Sequence, residues 1–170
     1  MIRLQRVGLA LAAALSLALT GAAPAAPLAK GQWPQAVSDL KPDPDIRFGA
    51  LPNGMRYAIR KQSTPPGQGA LRMWIDAGSL MEADDQQGLA HFLEHMAFNG
   101  STNIPEGEMT RRLERLGLAF GADTNASTGF EETIYKLDLP KTDAETVDTS
   151  LMLMREVSMV SAFVFGRSSM

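Results

Sequence analysis

Both histidines of this 170-residue chain lie in one segment, Gly88-Leu89-Ala90-His91-Phe92-Leu93-Glu94-His95-Met96-Ala97-Phe98, so any metal chemistry must start there. Leu89, Phe92, Leu93 and Met96 recur at i, i+3, i+4 and i+7, the spacing of a helix with a core-facing stripe. At about 100° per residue, His91, Glu94 and His95 fall within roughly 100° of one another on nearly the opposite side. The segment predicts a helix that packs by one face and presents two imidazoles and a carboxylate on the other.

Two histidines one turn apart can converge on one cation, and neutral imidazole nitrogen suits zinc. His91 and His95 are candidate ligands. Glu94 sits beside them, placed to take a proton from a zinc-bound water, which is a general-base position. The order His-x-x-Glu-His is the inverted zinc-protease pentad. A plain amphipathic helix with two histidines on its polar face is the alternative. Random placement puts two histidines four apart only about 1% of the time, and a Glu in the required slot lowers that to roughly 0.1%.

The ends speak to location. Arg3 and Arg6 precede an apolar run from Val7 to Leu19 and then Ala23-Pro24-Ala25, the pattern of a secretory signal peptide over residues 1–26, too short to span a membrane. The protein is expected to be exported, periplasmic or secreted, with no membrane association after cleavage; an uncleaved anchor is the alternative. There is no cysteine, so disulfides and thiolate ligands are excluded. Losing Arg3 and Arg6 from the 16 basic residues leaves 14 against 19 acidic ones, a net of −5 with no basic tract. Nucleic acid is therefore not an expected partner.

Residues 27–45 carry four prolines and little apolar periodicity, and read as an extended linker. Ile46 to Leu51 and Met55 to Arg60 flank Pro52-Asn53-Gly54, a hairpin signature. Ala70 to Ala77 reads as a half-buried strand ending at Gly78, and the acidic Glu82, Asp84 and Asp85 suit the N-terminus of the histidine helix. Met109, Leu113 and Leu116 mark a second helix over Glu106 to Leu116, stopped by Gly117. Thr133 to Leu139 reads as a strand with Tyr135, Leu137 and Leu139 on one face. Thr142 and Glu145 match a capping box for a third helix with Val147, Leu151 and Met154 in its stripe. This order predicts an α+β fold, a largely antiparallel sheet with helices packed on it. The roughly 120 residues after the linker offer few walls for a peptide site, so the chain reads as part of a larger domain.

With these residues in place, the sequence resembles the N-terminal part of the pitrilysin/insulinase family of zinc metallopeptidases. The likeness runs from about Arg47 to about Ser158. It rests on Leu51-Pro52-Asn53-Gly54-Met55-Arg56, Gly88 to Gly100, Leu116-Gly117, Gly121-Ala122-Asp123-Thr124-Asn125-Ala126 and Glu132-Thr133-Ile134-Tyr135, in the family's order. The resemblance implies zinc held by His91 and His95, Glu94 as general base, and Asn125 and Ala126 as substrate-binding residues on an edge strand. An extended peptide or unfolded protein adding to such an edge gains main-chain hydrogen bonds with little sequence demand. For Asn125, tolerance of an unusual turn conformation is the competing reading.

The resemblance also implies a third ligand, a Glu on a helix downstream of the Asp143 to Val157 helix, and a second, homologous half or subunit. After Glu156 this chain has no carboxylate, and residues 159–170 form a divergent tail, as truncation or a shifted reading frame near Ser158 would produce. Two readings follow: the N-terminal portion of a zinc metalloendopeptidase, with residues 46–158 as its partial peptidase domain, or a non-catalytic module binding a peptide or a partner half.

Overall fold

The computed structural model describes residues 27–165. The expected signal peptide over 1–26 and the last five residues of the tail lie outside them. The chain divides into two compact units, residues 1–61 and 62–170.

In the first unit, β1 (Ile46–Ala50) pairs antiparallel with β2 (Arg56–Arg60). The turn works as the sequence predicts. Gly54 takes φ +92°, a left-handed value that suits glycine, and Asn53 Oδ1 accepts the Met55 N–H. The leader departs from the expected extended linker: Pro34–Val37 form a turn of 3-10 helix, and the preceding Trp33 packs on the hairpin. Trp33 stacks edge-on against Phe48 at 4.9 Å, donates Nε1–H to the Gly49 carbonyl, and carries the Arg56 guanidinium over its ring at 5.1 Å. One indole thus ties the leader to the hairpin, which the proline count gave no sign of.

The second unit holds a three-stranded antiparallel sheet in the order β3-β5-β4, with β3 at Gly69–Ile75, β4 at Thr124–Thr128 and β5 at Thr133–Leu139. Alternation sets its faces. Met73, Tyr135 and Ala126 align on one face, as do Leu71, Leu137 and Thr124, and this side forms the core. Three helices accompany the sheet: α1 (Leu89–Asn99), α2 (Glu108–Arg115) and α3 (Ala144–Phe165). The α2 stripe is as read, with Met109, Leu113 and Leu116 all buried.

The buried face of α1 is not the expected one. Ala90, Leu93, Glu94 and Ala97 are buried, while Phe92 is 58% exposed and Leu89 and Met96 are nearly 40% exposed. The helix is turned by roughly 100° from the predicted stripe. Ala90 and Ala97, at 1% and 0%, are its most buried residues, and such small side chains let neighbouring backbones approach closely. The helix ends where Gly100 takes φ +145°, at a point where any Cβ would come within 2.6 Å of the Ile104 carbonyl oxygen.

The start of α3 also differs from the expected capping box. Thr142 donates its hydroxyl to the Gly67 carbonyl, so the Thr146 N–H is capped by Asp143 Oδ1 at 2.8 Å. Aspartate serves that role as well as threonine. Lys141 pairs with the same aspartate at 2.9 Å, and with Thr146 it lowers the Asp143 carboxyl to about 2. In the stripe, Met154 is buried but Leu151 is exposed; Thr146, Ser150, Leu153 and Val157 supply the rest of the inner face. The helix runs on through Phe165, so the described part of the divergent tail continues α3.

Candidate active site

The N-terminus of α1 is fixed by a residue six positions upstream. Glu82 accepts the Gly88 N–H on one carboxylate oxygen and the Ala90 N–H on the other, both at 2.7 Å. The capping expected of these acidic residues is thus carried by Glu82, and a carboxylate there also suits the helix dipole. One turn further on, His91 and His95 project on the exposed side, with their Nε2 atoms 3.1 Å apart. At zinc–nitrogen distances of about 2.0–2.1 Å, both atoms can lie on one ion with an angle of roughly 100° between them. The pair fits as two ligands of a tetrahedral site.

Glu94 lies at the boundary between this exposed pair and the buried face of α1, only 7% exposed. Thr128 Oγ1 donates to its Oε2 at 2.6 Å, linking the helix to β4. The sequence reading missed Thr128. Its signal was available: two positions after Ala126 on a strand, it shares that residue's face.

No group of three His, Cys, Asp or Glu able to hold a metal occurs among the described residues. Asp123, Glu131 and Glu132 are the carboxylates that flank β4 in sequence. Asp123 is otherwise engaged, accepting the Ala119 N–H on Oδ2 at 2.9 Å.

Asn125 and Ala126 lie on an edge strand, since among the described residues β4 pairs in this sheet with β5 alone. The ladder shows which groups face out. Gly129 N–H bonds to Glu132 O and Asp138 N–H to Asp123 O, so the hydrogen-bonded pairs fall on the odd positions of β4. The N–H and C=O of Thr124, Ala126 and Thr128 therefore point away from β5. The Thr124 end is closed by its own loop, through Thr124 N–H to Ala119 O and Gly121 N–H to Thr124 O. At Ala126, the outward N–H is met by the Asn125 side chain at 2.9 Å. The outward stretch reduces to Ala126 and Thr128, and it leads into a cleft of about 260 Å³ lined by His91, Glu82, Thr128 and Phe130.

The sequence profile of the family described as Insulinase (Peptidase family M16) matches residues 57–165. The chain is 38% identical over 124 residues to the "Probable zinc protease PqqL" of Escherichia coli, covering 73% of this chain, and 41% identical over 119 residues to the protein of the same name from Haemophilus influenzae, covering 70%. It spans 13% of the length of each of these relatives. The crystal structure of the periplasmic protease PqqL from Escherichia coli superposes with a TM-score of 0.68 at 38% identity, over 71% of this chain and 13% of that one.

Proposed function

The chain belongs to the insulinase family, peptidase family M16, and from that membership we propose that it supplies the His91, Glu94 and His95 portion of an exported zinc metalloendopeptidase larger than itself. The observation that carries the reading is one helical turn: two imidazole nitrogens 3.1 Å apart, with the buried Glu94 carboxylate between them in sequence. The relatives are zinc proteases by name, and the E. coli structure is of a periplasmic one, which supports peptide substrates, zinc and export.

His91 and His95 are the residues that would hold the zinc. When bound, zinc supplies a Lewis acid that acidifies a water and polarises a carbonyl. The substrate is an extended peptide, added antiparallel or parallel to the outward main chain of Ala126 and Thr128, with Asn125 giving up its own contact to Ala126 N–H as the peptide arrives. Glu94 has one oxygen bonded to Thr128 and the other free to take the proton from the attacking water, then to return it to the leaving amine. A short edge suits an enzyme of low sequence demand, because main-chain groups are common to all peptides.

The alternative, a module that binds a peptide or a partner half without turnover, is favoured by one observation: no third ligand completes the histidine pair among the described residues. Both readings predict weak metal binding for the 170-residue chain. Zinc calorimetry on it is expected to show weak binding that His91→Ala or His95→Ala abolishes, with no peptide cleavage. Tight stoichiometric zinc with chelator-sensitive turnover would show that this chain alone is a sufficient enzyme.

A further inference from the structure

Glu94 and the histidine pair occupy one turn of one helix, which creates a conflict. A cation between His91 and His95 attracts any carboxylate within reach, and Glu94 is the carboxylate between them in the chain. As a ligand it would spend a lone pair on the metal and lose its basicity. As placed, Glu94 does not complete a three-ligand group with the two histidines. What holds it is Thr128, whose hydroxyl engages Oε2 at 2.6 Å from the sheet side.

The anchor is firm for reasons outside the helix. Thr128 is registered against Thr133 in the ladder, and the turn beyond it is pinned by Gly129 N–H to Glu132 O. Ser79 and Leu80 add bonds from their amides to the Gly129 and Phe130 carbonyls. A β-branched side chain on such a backbone has a stiff χ1, so its hydroxyl is aimed by the strand. A hydrogen bond to a charged acceptor is also stronger than a neutral one.

We propose that Thr128 is a positioning residue that keeps Glu94 off the metal, so that the carboxylate serves as a base and not as a ligand. The inference rests on the reading of His91 and His95 as ligands. It makes Thr128 the point where β4 acts on the chemistry, since the same residue offers its main chain to the peptide edge.

The test uses the 170-residue chain with cobalt(II) as a spectroscopic probe, and zinc calorimetry beside it. Thr128→Val removes the hydroxyl at constant shape; Thr128→Ser keeps it. The wild-type chain and Thr128→Ser are expected to share one visible absorption spectrum. Thr128→Val is expected to shift that spectrum and to bind metal more tightly, by about tenfold, the order by which partners of a metal's ligands alter affinity. Adding Glu94→Gln to Thr128→Val should return both readouts to the wild-type values. A loss of structure alone would weaken binding, not tighten it. Thr128→Ala gives the same readout should the valine disturb the strand. A hydroxyl-free variant with unchanged spectrum and affinity, or a change that persists with Glu94→Gln, overturns the proposal and leaves the ligand reading standing. A wild-type chain that binds neither cobalt nor zinc overturns both.

Discussion

The junction of α1 with β4 and the junction of the 101–104 loop with α3 each bury a carboxylate, and they satisfy it to different degrees. Glu156, 4% exposed, receives the Ser101 hydroxyl at 2.7 Å and the Asn103 amide at 3.2 Å on Oε2 and 3.3 Å on Oε1. Both its oxygens are engaged. Glu94, at 7%, has one side-chain donor among the described residues, on Oε2. Burial does not separate these two carboxylates, whereas the number of side-chain donors does. A fully bonded carboxylate locks a loop, and one with a free oxygen can accept a proton.

Exchanging each carboxylate for its amide tests this contrast. The largest effect belongs to Glu94→Gln. In a catalytically competent form of the polypeptide, this change should lower peptide hydrolysis by about 10²–10⁴-fold while zinc content stays the same, because the amide keeps the shape but cannot take the proton. Activity close to wild type would remove Glu94 from the mechanism.

Next comes the edge beside it. Ala126→Pro deletes an N–H that faces away from β5, so the ladder should survive and the unfolding temperature should change little. Peptide affinity, read by fluorescence anisotropy, should fall by about fivefold, the worth of one main-chain hydrogen bond. Unchanged affinity in the folded variant would take the peptide off this edge.

The smallest effect is that of Glu156→Gln, on stability and not on chemistry. Ser101 and then Asn103 hold the Glu156 carboxyl below its ordinary value of 4.5. A lowered folded-state value means that this stabilisation is present above 4.5 and is lost as pH falls through the folded value. Thermal melts should therefore show the variant below wild type at neutral pH, with the gap closing as pH drops beneath 4.5, and zinc affinity unaffected. A gap that stays constant through that range would mean that the charge of Glu156 contributes nothing to holding the loop.

Much of this was legible in the chain. The Asn53-Gly54 turn, the strand carrying Tyr135, Leu137 and Leu139, the α2 stripe and the histidine spacing all follow from short-range rules, because turn chemistry and periodicity act over a few residues. The errors share a cause. Leu89, Phe92 and Met96 look like a core stripe because they are large, but Ala90 and Ala97 win the buried face because small residues permit close helix packing. Thr142 looks like a cap, but the Gly67 carbonyl, 75 residues away, claims its hydroxyl.

The spacing within residues 91–95 sets the pentad, and at 3.6 residues per turn it places His91, Glu94 and His95 within about 100° of one another on one helix. Which of these groups is buried, and what each touches, comes from contacts between elements distant in the chain. Glu94 is turned toward β4 and Thr128, 34 positions later, takes one of its oxygens, and the outward groups of Ala126 and Thr128 are set by pairing with β5. Such contacts depend on how a strand and a helix distant in sequence come to lie together, and no local periodicity encodes that distance.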